Sequence, residues 1–235
     1  MTILHPRIDG VICVSEAVRK DVLSKVWFNK DNVVTIYKGH DINWYDPEPT
    51  QRSKLGIPED ALIGICVANS RPSKGVQVLL EAIKGVDAPN FHLVLVGNGM
   101  DEFKTLANNS GMGDRVHFLG FRTDISNLMA MSDFQIQPSI SGEGLPKTII
   151  EAMVVAKPSI VTTTGGSAEL IKDRINGLVV HSGDTRSLSL AIQDFTSNKN
   201  RLPQMGLKSK DIMNREFSLN KSVKDHLTFF DKILN

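Results

Sequence analysis

Two glutamates, Glu143 and Glu151, flank the run Gly144-Leu145-Pro146-Lys147-Thr148. Pro146 suits the first position of a helix, where its missing N–H would be unpaired anyway. A helix starting there sets backbone N–H groups and the positive end of its dipole beside Gly144, and together they make an anion site. Gly144 lets a ligand approach the backbone closely. At a rise of about 1.5 Å per residue, the two carboxylates bracket a ligand that spans the helix start. Carboxylates next to a phosphate site suit sugar or ribose hydroxyls, which donate hydrogen bonds to them. In isolation the same pair also reads as a loop glutamate and an ordinary helix glutamate.

Cations for a diphosphate lie in Ala68-Asn69-Ser70-Arg71-Pro72-Ser73-Lys74-Gly75, Arg71 as a fork and Lys74 as a point charge. The bland alternative is a solvated basic turn. Thr164-Gly165-Gly166-Ser167-Ala168-Glu169 reads either as a ligand loop or as a strand-to-helix turn. Val96-Gly97-Asn98-Gly99 lacks the third glycine of a dinucleotide fingerprint, because Glu102 stands there, so a nicotinamide cofactor is not supported. Pro146 replaces the glycine that a P-loop needs before Lys147. No H-E-x-x-H, zinc-spaced cysteine pair, D-x-D or G-x-S-x-G is present, so no metal ligand or hydrolase nucleophile is assigned.

These loops must be held by alternating elements. The pattern predicts strands at 10–15, 32–37, 62–68, 91–96, 115–119, 134–137, 159–162 and 177–180. Helices are predicted at 16–26, 75–84, 100–108, 124–131, 147–155, 168–172 and 185–195, with Ser15 capping the first. Val76, Leu79, Leu80 and Ile83 form one apolar stripe at helical period. Residues 199–235 read as helix only, with Ser218 capping the last one. Repeated β-α units imply a Rossmann-like α/β fold, a parallel sheet with helices on both faces, plus C-terminal helices. Ligands bind such sheets at the C-terminal strand ends, where the informative loops fall.

The chain has 235 residues, 41% of them hydrophobic, enough for a proper core. A net charge of +1 gives no basic face for general nucleic-acid binding. Cys13 and Cys66 sit in apolar runs and read as buried thiols of a reducing compartment. No membrane-length apolar run is present, and residues 1–7 lack the sections of a signal peptide, so the chain reads as soluble and cytoplasmic.

Taken in order, the segments resemble the donor-binding, C-terminal half of retaining GT-B glycosyltransferases of the group 1 or family 4 type. Asp9 to Glu16 looks like the end of that family's N-terminal domain, and Ile36-Tyr37-Lys38-Gly39-His40-Asp41 is similar to its interdomain hinge. Arg71 to Gly75, Val94 to Gly99, Val116 to Phe121, the E-x7-E run Glu143 to Glu151, Gly165 to Ile171, Asn176-Gly177-Leu178 and Gly183-Asp184 follow in the family's order. The resemblance implies residues 1–38 as tail and hinge, 39–215 as the nucleotide-sugar domain, and 216–235 as a helix returning to the first domain.

It also implies roles. Glu143, Lys74 and Arg71 form the catalytic set, with Glu143 on the donor sugar and the two cations on the diphosphate. Gly97, Gly120, Phe121, Arg122, Gly144, Leu145, Pro146, Lys147, Thr148 and Glu151 bind the donor, Glu151 at the ribose and Phe121 with Arg122 at the base. The donor is expected to be a nucleotide diphosphate sugar, with a UDP-sugar as the working assignment, and neither metal nor cofactor is required. The acceptor is an unidentified glycan, lipid or small molecule, and the full-length enzyme is compatible with peripheral membrane association. Asn69 stands where the family often has Arg, so Arg71 is displaced in spacing. A sugar phosphorylase, a nucleotide-sugar epimerase and a non-catalytic nucleotide-sugar-binding module are the alternatives. The chain reads as a fragment lacking the acceptor domain and poorly active alone. Some of Val223, Leu227, Phe229 and Phe230 should then be exposed.

Overall fold

Strands alternate with helices because the apolar period alternates between two and three-to-four along most of the chain. The computed structural model describes His5 and residues 7–235. The sequence-based reading of residues 1–4 and 6 as free of a signal peptide lies outside them. Six parallel strands form the main sheet: β3 (Leu62–Val67), β4 (Phe91–Val96), β5 (Val116–Phe118), β6 (Phe134–Gln137), β7 (Ser159–Thr162) and β8 (Gly177–Val180). Their spatial order is β5-β4-β3-β6-β7-β8. The chain steps outward from β3 to one edge, then returns to lay β6 on the other side of β3. That reversal opens a crevice beyond the C-terminal ends of β3 and β6.

The inner strands β3 and β4 are buried on both faces, which is why they read as near-continuous apolar runs. On one face Cys66, Leu93, Leu95 and Phe134 pack against α2 (Val76–Ala82) and α7 (Thr185–Ser197). On the other, Ile63, Ile65, Val94 and Val96 pack against α4 (Ile125–Met131) and Ala152 of α5 (Lys147–Val154). Both cysteines are free and buried, and burial pushes the Cys66 thiol up to about 12. Two expected helices are tighter at one end: residues 83–85 and 100–103 form 3₁₀ turns, the latter entered through left-handed Gly99 and continued by α3 (Lys104–Asn108). No described helix is long and apolar enough to cross a membrane.

A smaller unit precedes the sheet. β1 (Val11–Cys13) and β2 (Val33–Thr35) pair in parallel across α1 (Glu16–Lys25), whose N-cap is Ser15. It is fastened to distant parts of the chain. Glu169, on α6 (Ser167–Leu170), accepts from the backbone N–H of Glu16 at 2.8 Å and of Ala17 at 2.9 Å, so a remote carboxylate sits at the positive end of α1. The Tyr37 hydroxyl donates to the same carboxylate at 2.9 Å. Two C-terminal helices, α8 (Leu202–Glu216) and α9 (Leu219–Leu234), complete the chain, and Ser218 caps α9 as expected. Ser222 on α9 donates to the Tyr37 carbonyl, and Lys232 to the Asp31 carbonyl. Of the apolar residues on α9 named from the sequence, Val223, Leu227 and Phe230 are exposed, while Phe229 is buried and lies against Gly10.

At the outer half of the sheet, His92 Nδ1 lies 2.9 Å from His117 Nε2, and the rings stack. Burial holds both imidazoles below their ordinary value, Arg115 adding repulsion at His92 and His92 adding it at His117. His40 is also held down, by burial and by Lys38 and Lys147. The folded chain therefore binds fewer protons than the unfolded one, and stability present above the ordinary value of 6.5 is lost as pH falls. Urea midpoints should decline below that pH, and less steeply in His117→Phe. Independently, Glu169→Ala removes the acceptor of two α1 N–H groups and should cost about 1–2 kcal/mol. A lowered urea midpoint with faster proteolysis within residues 7–38 is the expected result.

Candidate active site

A cleft of about 440 Å³ opens where β3 and β6 part. Strand ends supply its floor: Val67 at the end of β3 with Ala68 and Asn69 after it, Val96 at the end of β4 with Gly97 and Asn98 after it, and Gln137 at the end of β6. Its walls are Lys74, Phe121, Arg122, Ile125, Glu143 and the first turns of α5 through Glu151. Of the residues named from the sequence, Lys74, Gly97, Phe121, Arg122, Glu143, Pro146, Lys147, Thr148 and Glu151 share this lining. Gly120, Gly144, Leu145 and Arg71 do not. Gly120 stands behind, its carbonyl accepting from Gly97 N–H at 2.8 Å. Gly144 accepts from Gly166 N–H at 3.0 Å, and Leu145 packs into the core around α5 and α8. Arg71 is exposed outside the cleft, its N–H donating to Asn69 Oδ1.

Pro146 lies one position earlier than the sequence suggests. Its φ of −65° suits a helix, but its ψ of 117° is extended, so it is the N-cap and α5 begins at Lys147. No side chain caps this end of α5. The helix N-terminus therefore faces the cleft with N–H groups that a ligand anion can satisfy.

Each carboxylate of the site has a cation. Lys74 Nζ lies 2.8 Å from Glu143 Oε1, with the Glu143 side chain only 7% exposed. Lys147 Nζ lies 2.9 Å from Glu151 Oε1, and this bond holds the Lys147 ammonium above its usual value. Arg122 meets Asp124 through two bonds, at 2.8 and 2.6 Å. That fork pushes Asp124 down and Arg122 up. Phe121 is 68% exposed beside it and offers an open aromatic face to the cleft.

Close backbone approaches hold the loops in register. A Cβ on Gly75 would stand 1.9 Å from the Pro138 carbonyl oxygen, and one on Gly165 would stand 1.8 Å from that of Glu143. The loop that carries Lys74 is also tied down by Ile140 N–H donating to the Ser73 carbonyl at 2.7 Å. Gln137 and Ile125 line the cleft without having been singled out in the sequence. For Gln137 there was a signal: two glutamines alternate on a strand that is otherwise apolar.

Residues 47–211 match the family described as glycosyl transferases group 1. The chain belongs to that family. A curated relative, the N-acetyl-alpha-D-glucosaminyl L-malate synthase of Bacillus anthracis, is 31% identical over 96% of this chain and 60% of its own length. An uncharacterised glycosyltransferase of Methanocaldococcus jannaschii is 27% identical over 92% of this chain and 57% of its own. Among solved structures, Anabaena HepE in complex with UDP and glucose superposes with a TM-score of 0.86 at 25% identity, covering 95% of this chain and 63% of HepE. HepE has also been solved with UDP-glucose. This group 1 glycosyltransferase chain thus spans about 60% of the length of the curated relatives it matches.

The glycine contacts yield a paired prediction. Gly165→Ala pushes a Cβ into a carbonyl at a left-handed φ of 54° and should cost about 3–5 kcal/mol. Gly142→Ala, left-handed but in open space, should cost only about 1–2 kcal/mol. Urea denaturation of the two variants checks the order.

Proposed function

We propose that this chain is the donor-binding half of a retaining, metal-independent glycosyltransferase that transfers a sugar from a nucleotide diphosphate sugar. The observation that carries the reading is the convergence of Lys74, the uncapped start of α5, Glu143 and Glu151 on one cleft at the switch point of the sheet. Lys74 and the α5 N–H groups take the diphosphate. Glu143 accepts from the sugar hydroxyls and Glu151 from the ribose. Phe121 and Arg122 border the base. The relative HepE, solved with UDP-glucose, favours a UDP-sugar as donor.

In the transfer, the acceptor hydroxyl oxygen bonds to the anomeric carbon as the bond from that carbon to the diphosphate oxygen breaks. The electron pair departs with the nucleoside diphosphate, and the acceptor proton goes to that oxygen on the same face, which retains configuration. Lys74 and the α5 terminus meet the charge that develops on the leaving group, a task divalent cations perform in other transferases. Residues 39–215 form the donor domain in this reading, residues 1–38 and 216–235 face its partner domain, and the acceptor is held beyond this span. The chain alone then binds donor but transfers poorly, because the acceptor is not held in reach.

Calorimetry with UDP, GDP, ADP and UDP-glucose in the presence of a chelator tests the reading. UDP should bind without divalent metal. Lys74→Ala should lose about tenfold or more, since hydrogen bonds to charged groups contribute about 1.5–3 kcal/mol. Glu151→Ala should weaken UDP and UDP-glucose alike, and Glu143→Ala only UDP-glucose. Unchanged UDP affinity in Lys74→Ala, or equal losses in Glu143→Ala, would sink the assignment.

A further inference from the structure

Every residue of β6 is buried, yet two of its four side chains are amides. Gln135 and Gln137 share one face by strand alternation. The Gln137 amide uses both ends. Its Oε1 accepts from Gln135 Nε2 at 3.1 Å and from Thr148 Oγ1 at 2.9 Å. Its Nε2 donates to Ser139 Oγ and to Glu143 Oε1, each at 3.0 Å. Turned the other way, the amide oxygen would face the Glu143 carboxylate, so the charge of Glu143 fixes which end points where. Ser139 Oγ donates to the same Glu143 oxygen at 2.5 Å, and Lys74 Nζ to it at 2.8 Å. Three donors thus converge on Oε1, while among the described residues Oε2 receives no hydrogen bond. Gln135, fully buried, directs its amide at Gln137 and leaves its own Oε1 without a partner.

We propose that Gln137 is a positioning residue that locks the Glu143 carboxylate, with Oε2 free for a sugar hydroxyl, to Thr148 in the first turn of α5. The carboxylate at the sugar end is thereby held by one amide, which Thr148 orients from its other end. This rests on the donor-site reading above. Both ends of the Gln137 amide are taken by protein groups, so it acts on the ligand through Glu143.

Calorimetry on the chain with UDP and UDP-glucose separates this from a packing role. Gln137→Leu, close in volume, should weaken UDP-glucose about tenfold while changing UDP by less than about threefold. The same substitution in a Glu143→Ala background should cost nothing further, because the group it positions is gone. Thr148→Val, at the half-buried end, should shift the same ratio in the same direction if Gln137→Leu fails to fold. Equal losses for the two ligands, or additive losses in the double variant, would overturn the proposal. Wild-type chain that binds neither ligand would overturn the donor reading instead. The arrangement is then decided without ligand, by NMR of the Gln137 side-chain amide: Glu143→Ala should collapse its chemical shift and its protection from exchange, and an unchanged signal would overturn it.

Discussion

A carboxylate almost withdrawn from water sets the terms for this molecule. At 7% side-chain exposure, the Glu143 carboxylate has lost most of its water and needs protein donors in its place. Those donors come from separate parts of the chain: Lys74 from the loop after β3, and Gln137 and Ser139 from β6 and the residue pair beyond it. They meet because β3 and β6 are neighbours, which follows from the reversal of strand order. The glycines at 75 and 165 belong to the same requirement. Each removes the one carbon that would hold two backbones apart.

The cleft is therefore rich in charges yet already internally balanced. Glu143, Glu151 and Asp124 each pair with a cation, and the whole chain carries only +1. A standing positive field is not what would draw in an anionic ligand. Exchange of partners is: a diphosphate competes for Lys74 while a sugar hydroxyl reaches the open Oε2 of Glu143, and the start of α5 adds N–H groups that have no side-chain cap to displace.

Legibility in the sequence followed the kind of force involved. The strands at 91–96, 134–137, 159–162 and 177–180 were readable to the residue, since each is a short run rich in β-branched and aromatic residues bounded by turn residues. The start of α5 was readable to one residue, because proline fixes φ but leaves ψ open. Arg71 already stood out in the sequence by its displaced spacing, and it is exposed outside the cleft that Lys74 lines. The Gln137 contacts were not readable, because an amide inside a strand shows its partners only once the neighbouring loop is in place. The 3₁₀ turns after α2 and before α3 left no periodic trace, being too short for one.

The attachment of the first strand pair carries a consequence for synthesis. β1, α1 and β2 precede the main sheet in sequence, yet of the residues that fasten them Glu169 lies between β7 and β8, and Ser222, Phe229 and Lys232 lie on α9, beyond the whole sheet. Until α9 is made, its share of that attachment is missing. The contacts with α9 join residues about 200 positions apart, so they form only when α9 is in place and not on completion of the sheet.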